Sequence, residues 1–112
     1  MLNELQRKRM TDTFNKLEAL VRDWAEARNL IKGSDPKSQF LKTVSELGEL
    51  ADAINKNDKA EQIDGIGDVL VTLIIVAEQL GLTLTECLAV AYLEIKDRKG
   101  RLVNGTFIKE ET

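Results

Sequence analysis

The sequence contains no histidine and only one cysteine, Cys87. The lack of histidine excludes Ser-His-Asp and Cys-His catalysis, His-ligated zinc and the Glu-x-x-His helices of carboxylate di-iron bundles. A single cysteine excludes an internal disulfide, and the N-terminus MLNELQRKRM lacks the apolar core of a signal peptide. We therefore expect a cytoplasmic protein in which any catalytic site is built from carboxylates, hydroxyls, amines or a metal.

A long apolar run is also missing. The longest, from Val69 to Ala77, is interrupted by Thr72 and is far shorter than the ~20 residues that cross a bilayer. The 16 basic residues are outnumbered by 19 acidic ones, and the net charge of -3 suits a divalent cation better than nucleic acid or an anionic membrane. With 112 residues, of which 43% are hydrophobic, the chain is expected to form a single domain, 1–112, around one core.

Apolar residues spaced by three and four positions are typical of amphipathic helices. They predict four helices, at about 3–31, 36–54, 60–80 and 84–99. The third contains VLVTLIIVA, which also has the composition of a β-strand, but the run is too long for one strand. Four helices with short connections predict an all-α bundle, in which facing helices can assemble a metal or cofactor site.

Boundary residues support these positions. The motif Ser-Asp-Pro offers an N-cap and a first-turn proline to the second helix, and Thr83 with Glu86 forms a capping box for the fourth. The tail, 100–112, contains the tight-turn pair Asn-Gly between short apolar stretches. We expect it to form either a small hairpin or an extended arm.

The second predicted helix carries polar residues at the border of its apolar face. At about 100° per residue, one quarter of its circumference holds Gln39, Lys42, Glu46 and Glu49. The plain interpretation is a solvated face with an ion pair between Lys42 and Glu46. The alternative is that Glu46 and Glu49 contribute to a cation site shared with the next helix.

The third predicted helix supports this alternative. Glu61, Asp64 and Asp68 lie within about 60° of one another, on a line that continues into the most apolar part of the chain. Asp64 and Asp68 are therefore expected to point toward the core. Carboxylates facing inward on two neighbouring helices repel each other and lose solvation unless a hard cation or a basic partner neutralises them. A cluster of oxygen ligands suits Mg²⁺ or Mn²⁺.

The segments QFLKTVSELGELADAI and EQIDGIGDVLVTLIIVAEQLG resemble the MazG-type all-α nucleoside triphosphate pyrophosphohydrolases. The tail AYLEIKDRKGRLVNGTFIKEE resembles that of the small phage-type MazG-like proteins. The resemblance implies Mg²⁺-dependent hydrolysis between the α- and β-phosphates of a nucleoside triphosphate, which gives a monophosphate and pyrophosphate. It also implies a homodimer or a homotetramer.

The family motif pairs an EExxE segment on one helix with an ExxD segment on the next, and together these segments hold Mg²⁺. Glu46 and Glu49 match the second and third acids of EExxE, while Ser45 replaces the first. The resemblance implies that both glutamates act in catalysis as Mg²⁺ ligands. Ser45 means that one ligand is lost or that water takes its place.

In the second motif, Asp68 matches the terminal Asp, but Gly65 stands three positions before it. The resemblance then implies Asp68 as a Mg²⁺ ligand and Asp64, one turn before it, as a fourth ligand. On the same resemblance, Glu61 is expected to be a reserve ligand or a base that orients water. Because Glu61 and Asp64 themselves form an ExxD, the register of this motif stays open.

Further residues are candidates for substrate binding. The set comprises Gln39, Lys42, Trp24, Lys96, Arg98, Asn104 and Lys109. Lys42 can hold a phosphate, while Trp24 can stack on a nucleobase or simply pack in the core. Lys96 and Arg98 can complete a phosphate cradle or merely complement a helix dipole. Asn104 and Lys109 follow from the resemblance alone.

Two other functions remain open from the sequence. One is a catalytically degenerate helical module that binds a nucleotide or a protein, with Ser45 as the sign of the lost site. The other is a structural helical protein whose acidic residues are solvated. The base and the sugar of the nucleotide are not specified by these patterns.

Overall fold

The computed structural model describes Asn3, Leu5 and residues 13–110. Its described elements are four helices followed by a two-stranded hairpin. They are α1 (Phe14–Ala27), α2 (Pro36–Asn55), α3 (Lys59–Gln79), α4 (Leu84–Ile95), β1 (Gly100–Val103) and β2 (Thr106–Lys109). The predicted all-α bundle is confirmed, and the tail is a hairpin. Most of the first ten residues of the predicted helix 3–31 lie outside the described residues.

The first and last helices end earlier than predicted. α1 ends at Ala27 because the chain turns through Asn29, whose φ of 58° lies in the left-handed region that Asn tolerates. Residues 28–33 form turns instead of continuing the helix. α4 ends at Ile95, and the chain turns at residues 96–97 before β1 begins.

The predicted caps are present. The Asp35 carboxylate accepts a hydrogen bond of 2.8 Å from the Ser38 backbone amide, directly before Pro36 in the first turn of α2. Thr83 and Glu86 satisfy each other's backbone amides in the capping box of α4. Capping residues next to each helix therefore set the start of α2 and of α4.

α2 and α3 form an antiparallel pair whose contact is the most extensive in the fold. At one end of the pair, the Gln62 side chain donates to the Ala53 carbonyl over 3.2 Å. About one turn further along α3, Gly65 lies so close to α2 that a Cβ there would be 3.3 Å from the Cα of Leu50. This close approach sets the spacing of the two helices where their acidic residues lie.

The buried apolar core consists mainly of alanine and isoleucine side chains, and much of it lies in the C-terminal half of α3. α1 is joined to this body by polar contacts. The buried carboxylate of Glu18 accepts hydrogen bonds from Leu84 and Thr85 at the start of α4, and Arg22 forms an ion pair of 3.7 Å with Glu78. α1 thus connects α3 to α4.

Large apolar side chains remain exposed on α2, on α4 and on the hairpin. In the hairpin, Leu102 pairs with Phe107 and Arg101 with Ile108, so that apolar groups lie on both of its faces. The radius of gyration is 16.5 Å, compared with about 13 Å for a compact domain of this length.

No single helix in the described part of the chain is both long enough and apolar enough to cross a membrane. The helices α3 and α4 reach that length and apolarity only when they are taken together, and the chain bends by 98° between them.

Candidate active site

A pocket of about 320 Å³ opens between α2 and α3, next to the turn that joins them. It is lined by Glu49, Asp52, Lys56, Glu61, Asp64, Gly65 and Asp68. Acidic residues from both helices therefore surround one opening. Four of the predicted site residues, Glu49, Glu61, Asp64 and Asp68, are brought together here.

The expectation that Asp64 and Asp68 point toward the core is wrong. Both residues are exposed on the acidic pocket, whereas the buried residues of α3 are Gly65, followed by a group that starts at Thr72. The reason is that the apolar core lies beside the C-terminal half of α3. The N-terminal half packs on α2 through Gly65 and leaves its carboxylates on either side of that contact.

Glu46 is placed differently from the other acids. It is buried, with 7% of its surface exposed, and its Oε1 lies 3.3 Å from the Lys42 ammonium. This is the ion pair that the plain interpretation of α2 predicts. The other carboxylate oxygen, Oε2, is buried and has no hydrogen-bond partner among the described residues. An orphaned carboxylate oxygen is costly, and a cation or a proton would satisfy it.

The electrostatics of the acidic pocket favour an added positive charge. The pKa of Glu49 is raised because Glu46 can hydrogen-bond only to its protonated form and repels its charge. The pKa of Asp68 is raised by partial burial and by the negative charges of Glu46 and Asp64. Lys42 opposes both shifts but does not cancel them.

The residues of this region fit a hard cation in the kind of atom they offer. All the acidic donors are carboxylate oxygens, and Glu46 Oε2 is an unsatisfied one. Within residues 13–110, however, no three acidic side chains stand close enough together to form a complete metal site. The acids are arranged around the pocket and do not converge on one point.

A second, apolar pocket of about 380 Å³ lies on the other side of Asp68. It is lined by Leu17, Leu20, Val21, Trp24, Asp68 and Val71. Trp24 is 45% exposed, and the Arg28 guanidinium lies 4.6 Å from the centroid of its ring. The interpretation of Trp24 as a core residue is therefore wrong, because almost half of the residue is exposed. Asp68 borders both the acidic and the apolar pocket.

The remaining candidates lie away from the acidic pocket. Gln39 is half-buried at the start of α2, where its amide is 3.4 Å from the Ser34 hydroxyl. Lys96 and Arg98 follow α4, and Lys109 lies in β2. Asn104 occupies the hairpin turn with a φ of 52°, which gives it a conformational role. No hydrogen bond or ion pair within residues 13–110 joins the last four to the acidic helices.

Sequence reasoning missed Asp52 and Lys56, which also line the acidic pocket. Both continue the helical line of Glu49, three and seven positions further along α2. That spacing was a usable signal. Lys56 adds a cation to the pocket at the end of α2.

Comparison with known proteins settles the family. Residues 34–100, more than half of the chain, match the model of the MazG nucleotide pyrophosphohydrolase domain. The chain belongs to the MazG family. The matched region of the MazG domain holds α2, α3 and every residue that lines the acidic pocket, whereas Trp24, Asn104 and Lys109 lie outside it.

A curated relative of this MazG domain comes from Haemophilus phage HP1 (strain HP1c1), where it is named "Uncharacterized 18.2 kDa protein in rep-hol intergenic region". The two are 42% identical over 59 residues, which are 53% of this chain and 36% of the phage protein. The chain thus spans little more than a third of the relative's length. No solved structure gives a significant match.

Proposed function

We propose that this MazG domain is a Mg²⁺-dependent nucleoside triphosphate pyrophosphohydrolase. It cleaves ribo- or deoxyribonucleoside triphosphates between the α- and β-phosphates and releases a nucleoside monophosphate and pyrophosphate. The observation that carries the proposal is that carboxylates from both α2 and α3 surround the acidic pocket. Membership of the MazG family supports a nucleotide substrate.

In this proposal Glu46, Glu49 and Asp68 hold Mg²⁺, Asp64 is a fourth ligand, and Mn²⁺ can substitute. When bound, Mg²⁺ neutralises phosphate charge and lowers the pKa of a coordinated water. The unpartnered Oε2 of Glu46 and the raised pKa values of Glu49 and Asp68 support these assignments. Glu61, which lines the same pocket, orients the attacking water and accepts its proton.

The substrate extends across both pockets in this proposal. The triphosphate lies at the acidic pocket with the cation, where Lys42 and Lys56 offer positive charge. The base lies in the apolar pocket and stacks on Trp24, whose ring presents a large apolar face. Asp68 supports this path because it borders both pockets. Gln39, near the start of α2, contacts the substrate from the Lys42 side.

We further propose that the domain works as a homodimer or homotetramer. Phe40, Val44, Leu47 and Ile54 are about half exposed and recur on one side of α2 at helical spacing. Exposed apolar patches of this kind mark protein interfaces. A second copy is then the source of Lys96, Arg98, Asn104 and Lys109 at the substrate. The proposed compartment is the cytoplasm, where the exposed free thiol of Cys87 stays reduced.

The test is pyrophosphate release from a panel of ribo- and deoxyribonucleoside triphosphates with Mg²⁺, with Mn²⁺ and with a chelator. We expect release that depends on the metal, and we expect Glu49→Gln and Asp68→Asn to abolish it without loss of helical content. Glu26→Gln, an exposed acid on α1, is the matched control and should keep wild-type rates. Unchanged rates in both site variants would show that the ligand assignment is wrong.

The competing function is a catalytically degenerate module that binds a nucleotide or a protein. Ser45, where the family motif has its first acid, favours it. It predicts no pyrophosphate release from any member of the panel. Calorimetric titration with the same triphosphates would then reveal binding without turnover.

A further inference from the structure

Two threonine hydroxyls form a polar contact inside the interface between α2 and α3. The Oγ1 atoms of Thr43 and Thr72 are 2.8 Å apart, and the residues are 2% and 6% exposed. The Thr72 hydroxyl donates to the Val69 carbonyl over 2.8 Å, which leaves its oxygen to accept from Thr43. The Thr43 hydroxyl also has the Gln39 carbonyl within reach, but at the longer distance of 3.3 Å. The hydroxyls are thus satisfied by each other and by the backbone.

The hydrogen bond between these threonines is not expected to contribute much to the stability of the packing of α2 on α3. Replacing both partners of a buried hydrogen bond by apolar groups of the same shape can be nearly neutral or even stabilising. A valine pair of the same shape would therefore hold α2 and α3 together about as well. What a hydrogen bond adds is direction, because its strength falls steeply when the two atoms shift or rotate.

The position of the pair connects this direction to the acidic residues. Thr43 lies one helical turn before Glu46 on α2, and Thr72 lies one turn after Asp68 on α3. On the other side of these acids, Gly65 contacts the backbone of Leu50. The carboxylates of Glu46 and Asp68 therefore lie between a close glycine contact and a directional hydroxyl contact.

We propose that Thr43 and Thr72 are a positioning pair that fixes the axial register of α2 against α3, and so keeps Glu46 and Asp68 on facing turns from which both can bind one cation. The inference rests on the proposed function, because it assigns the cation to these helices. Neither threonine touches the cation or the substrate. The pair acts through the helix turns that carry the ligands.

The experiment compares Thr43→Val, Thr72→Val and the double variant with the wild-type chain. Thr43→Ser keeps the hydroxyl and should therefore keep the wild-type cation affinity. Thr106→Val, on the exposed strand β2, is the matched control for a change from threonine to valine. Three quantities are measured: Mn²⁺ affinity by calorimetry without substrate, the Mg²⁺ concentration that half-activates pyrophosphate release, and the melting temperature without metal.

We expect the valine variants to lose about tenfold in Mn²⁺ affinity, as when an outer-shell partner of a metal ligand is removed. Their half-activating Mg²⁺ concentration should rise by a similar factor, while kcat at saturating Mg²⁺ and the melting temperature stay close to wild type. Thr43→Ser and Thr106→Val should behave like the wild-type chain.

Wild-type affinity in the double valine variant would overturn the inference while leaving the proposed function intact. A valine variant that melts much earlier or fails to fold would also overturn it, because the pair would then be a general stability element. If the wild-type chain bound no Mn²⁺ and released no pyrophosphate, the proposed function would fail first, and the pair would have no ligands to position.

Discussion

Glu18 provides a sharp test of how α1 is attached to the rest of the fold. Its carboxylate is buried, with 3% of the residue exposed, and it accepts hydrogen bonds from the Leu84 amide and from the amide and hydroxyl of Thr85. The two amides belong to the first turn of α4, whose N–H groups have no partner within the helix. We predict that Glu18→Gln destabilises the protein, although it preserves the size of the side chain.

The magnitude follows from the donors. A glutamine offers one acceptor oxygen, so its NH₂ group must face one of the N–H or O–H donors that Glu18 accepts from. Loss of one hydrogen bond to a charged group costs about 1.5–3 kcal/mol, and we expect about 2 kcal/mol for Glu18→Gln. At about 4 °C per kcal/mol for a domain of this size, the melting temperature should fall by about 8 °C. Thr85→Val, which removes only the hydroxyl donor, should cost less.

The assay is thermal unfolding followed by circular dichroism, with Glu26→Gln on the exposed face of α1 as the control. This surface substitution should change the stability by less than about 0.5 kcal/mol. If Glu18→Gln melted at the same temperature as Glu26→Gln, the hydrogen bonds from α4 to Glu18 would contribute nothing to stability, contrary to this prediction.

The same carboxylate predicts a pH dependence. Burial raises the pKa of Glu18, but hydrogen bonds from the Thr85 hydroxyl and from the amides of Leu84 and Thr85 outweigh it and hold the pKa below its ordinary value of 4.5. A carboxyl with a depressed folded pKa stabilises the fold above its ordinary pKa, and this contribution is lost as the pH falls through the folded value. The gap between wild type and Glu18→Gln should be constant near neutral pH and should narrow below 4.5. A gap that persisted in strong acid would contradict this.

Three further predictions concern the two pockets. In Gly65→Ala, the new Cβ would lie 3.1 Å from the Leu50 side chain and should push α2 and α3 apart. Overpacking costs about 1–3 kcal/mol, while the gain in helix propensity offsets about 1 kcal/mol of this. We therefore expect a small loss of stability in thermal unfolding and a marked loss of Mn²⁺ affinity in calorimetry. Trp24→Ala should raise the KM for triphosphates at least severalfold in steady-state assays while leaving Mn²⁺ affinity unchanged, and equal KM values would remove the stacking role. Mg²⁺ at 100 times its Kd should stabilise the fold by about 2.7 kcal/mol, a rise in melting temperature that a chelator reverses and that should be absent in Asp68→Asn.

The helices were predictable because their signals are local. Apolar spacing, the Ser-Asp-Pro start of α2 and the capping box of α4 each depend on residues within one or two turns of one another. The early end of α1 was not predicted, because apolar spacing does not reveal the left-handed conformation that Asn29 takes up. The grouping of Glu49, Glu61, Asp64 and Asp68 was predictable because adjacent antiparallel helices bring their facing residues together.

The features that the sequence did not predict depend on contacts between residues far apart in the chain. The orientation of Asp64 and Asp68 depends on how far the core extends along α3, and the burial of Glu18 depends on α4, far away in the chain. The hydroxyl contact of Thr43 with Thr72 likewise requires the register of two helices. A one-dimensional pattern contains no such information.

The apolar and the acidic pocket are built mainly from different helices, and this affects how nucleotide preference can change in evolution. Most of the apolar pocket belongs to α1, which precedes the matched region 34–100, while the acidic residues lie on α2 and α3 within it. If the base is held by α1, substitutions at Leu17, Leu20 or Trp24 can shift nucleotide preference without disturbing the carboxylates. Asp68 is the exception, because a change there alters both pockets at once. Homologues that differ in substrate should therefore vary most along α1 and least at Asp68.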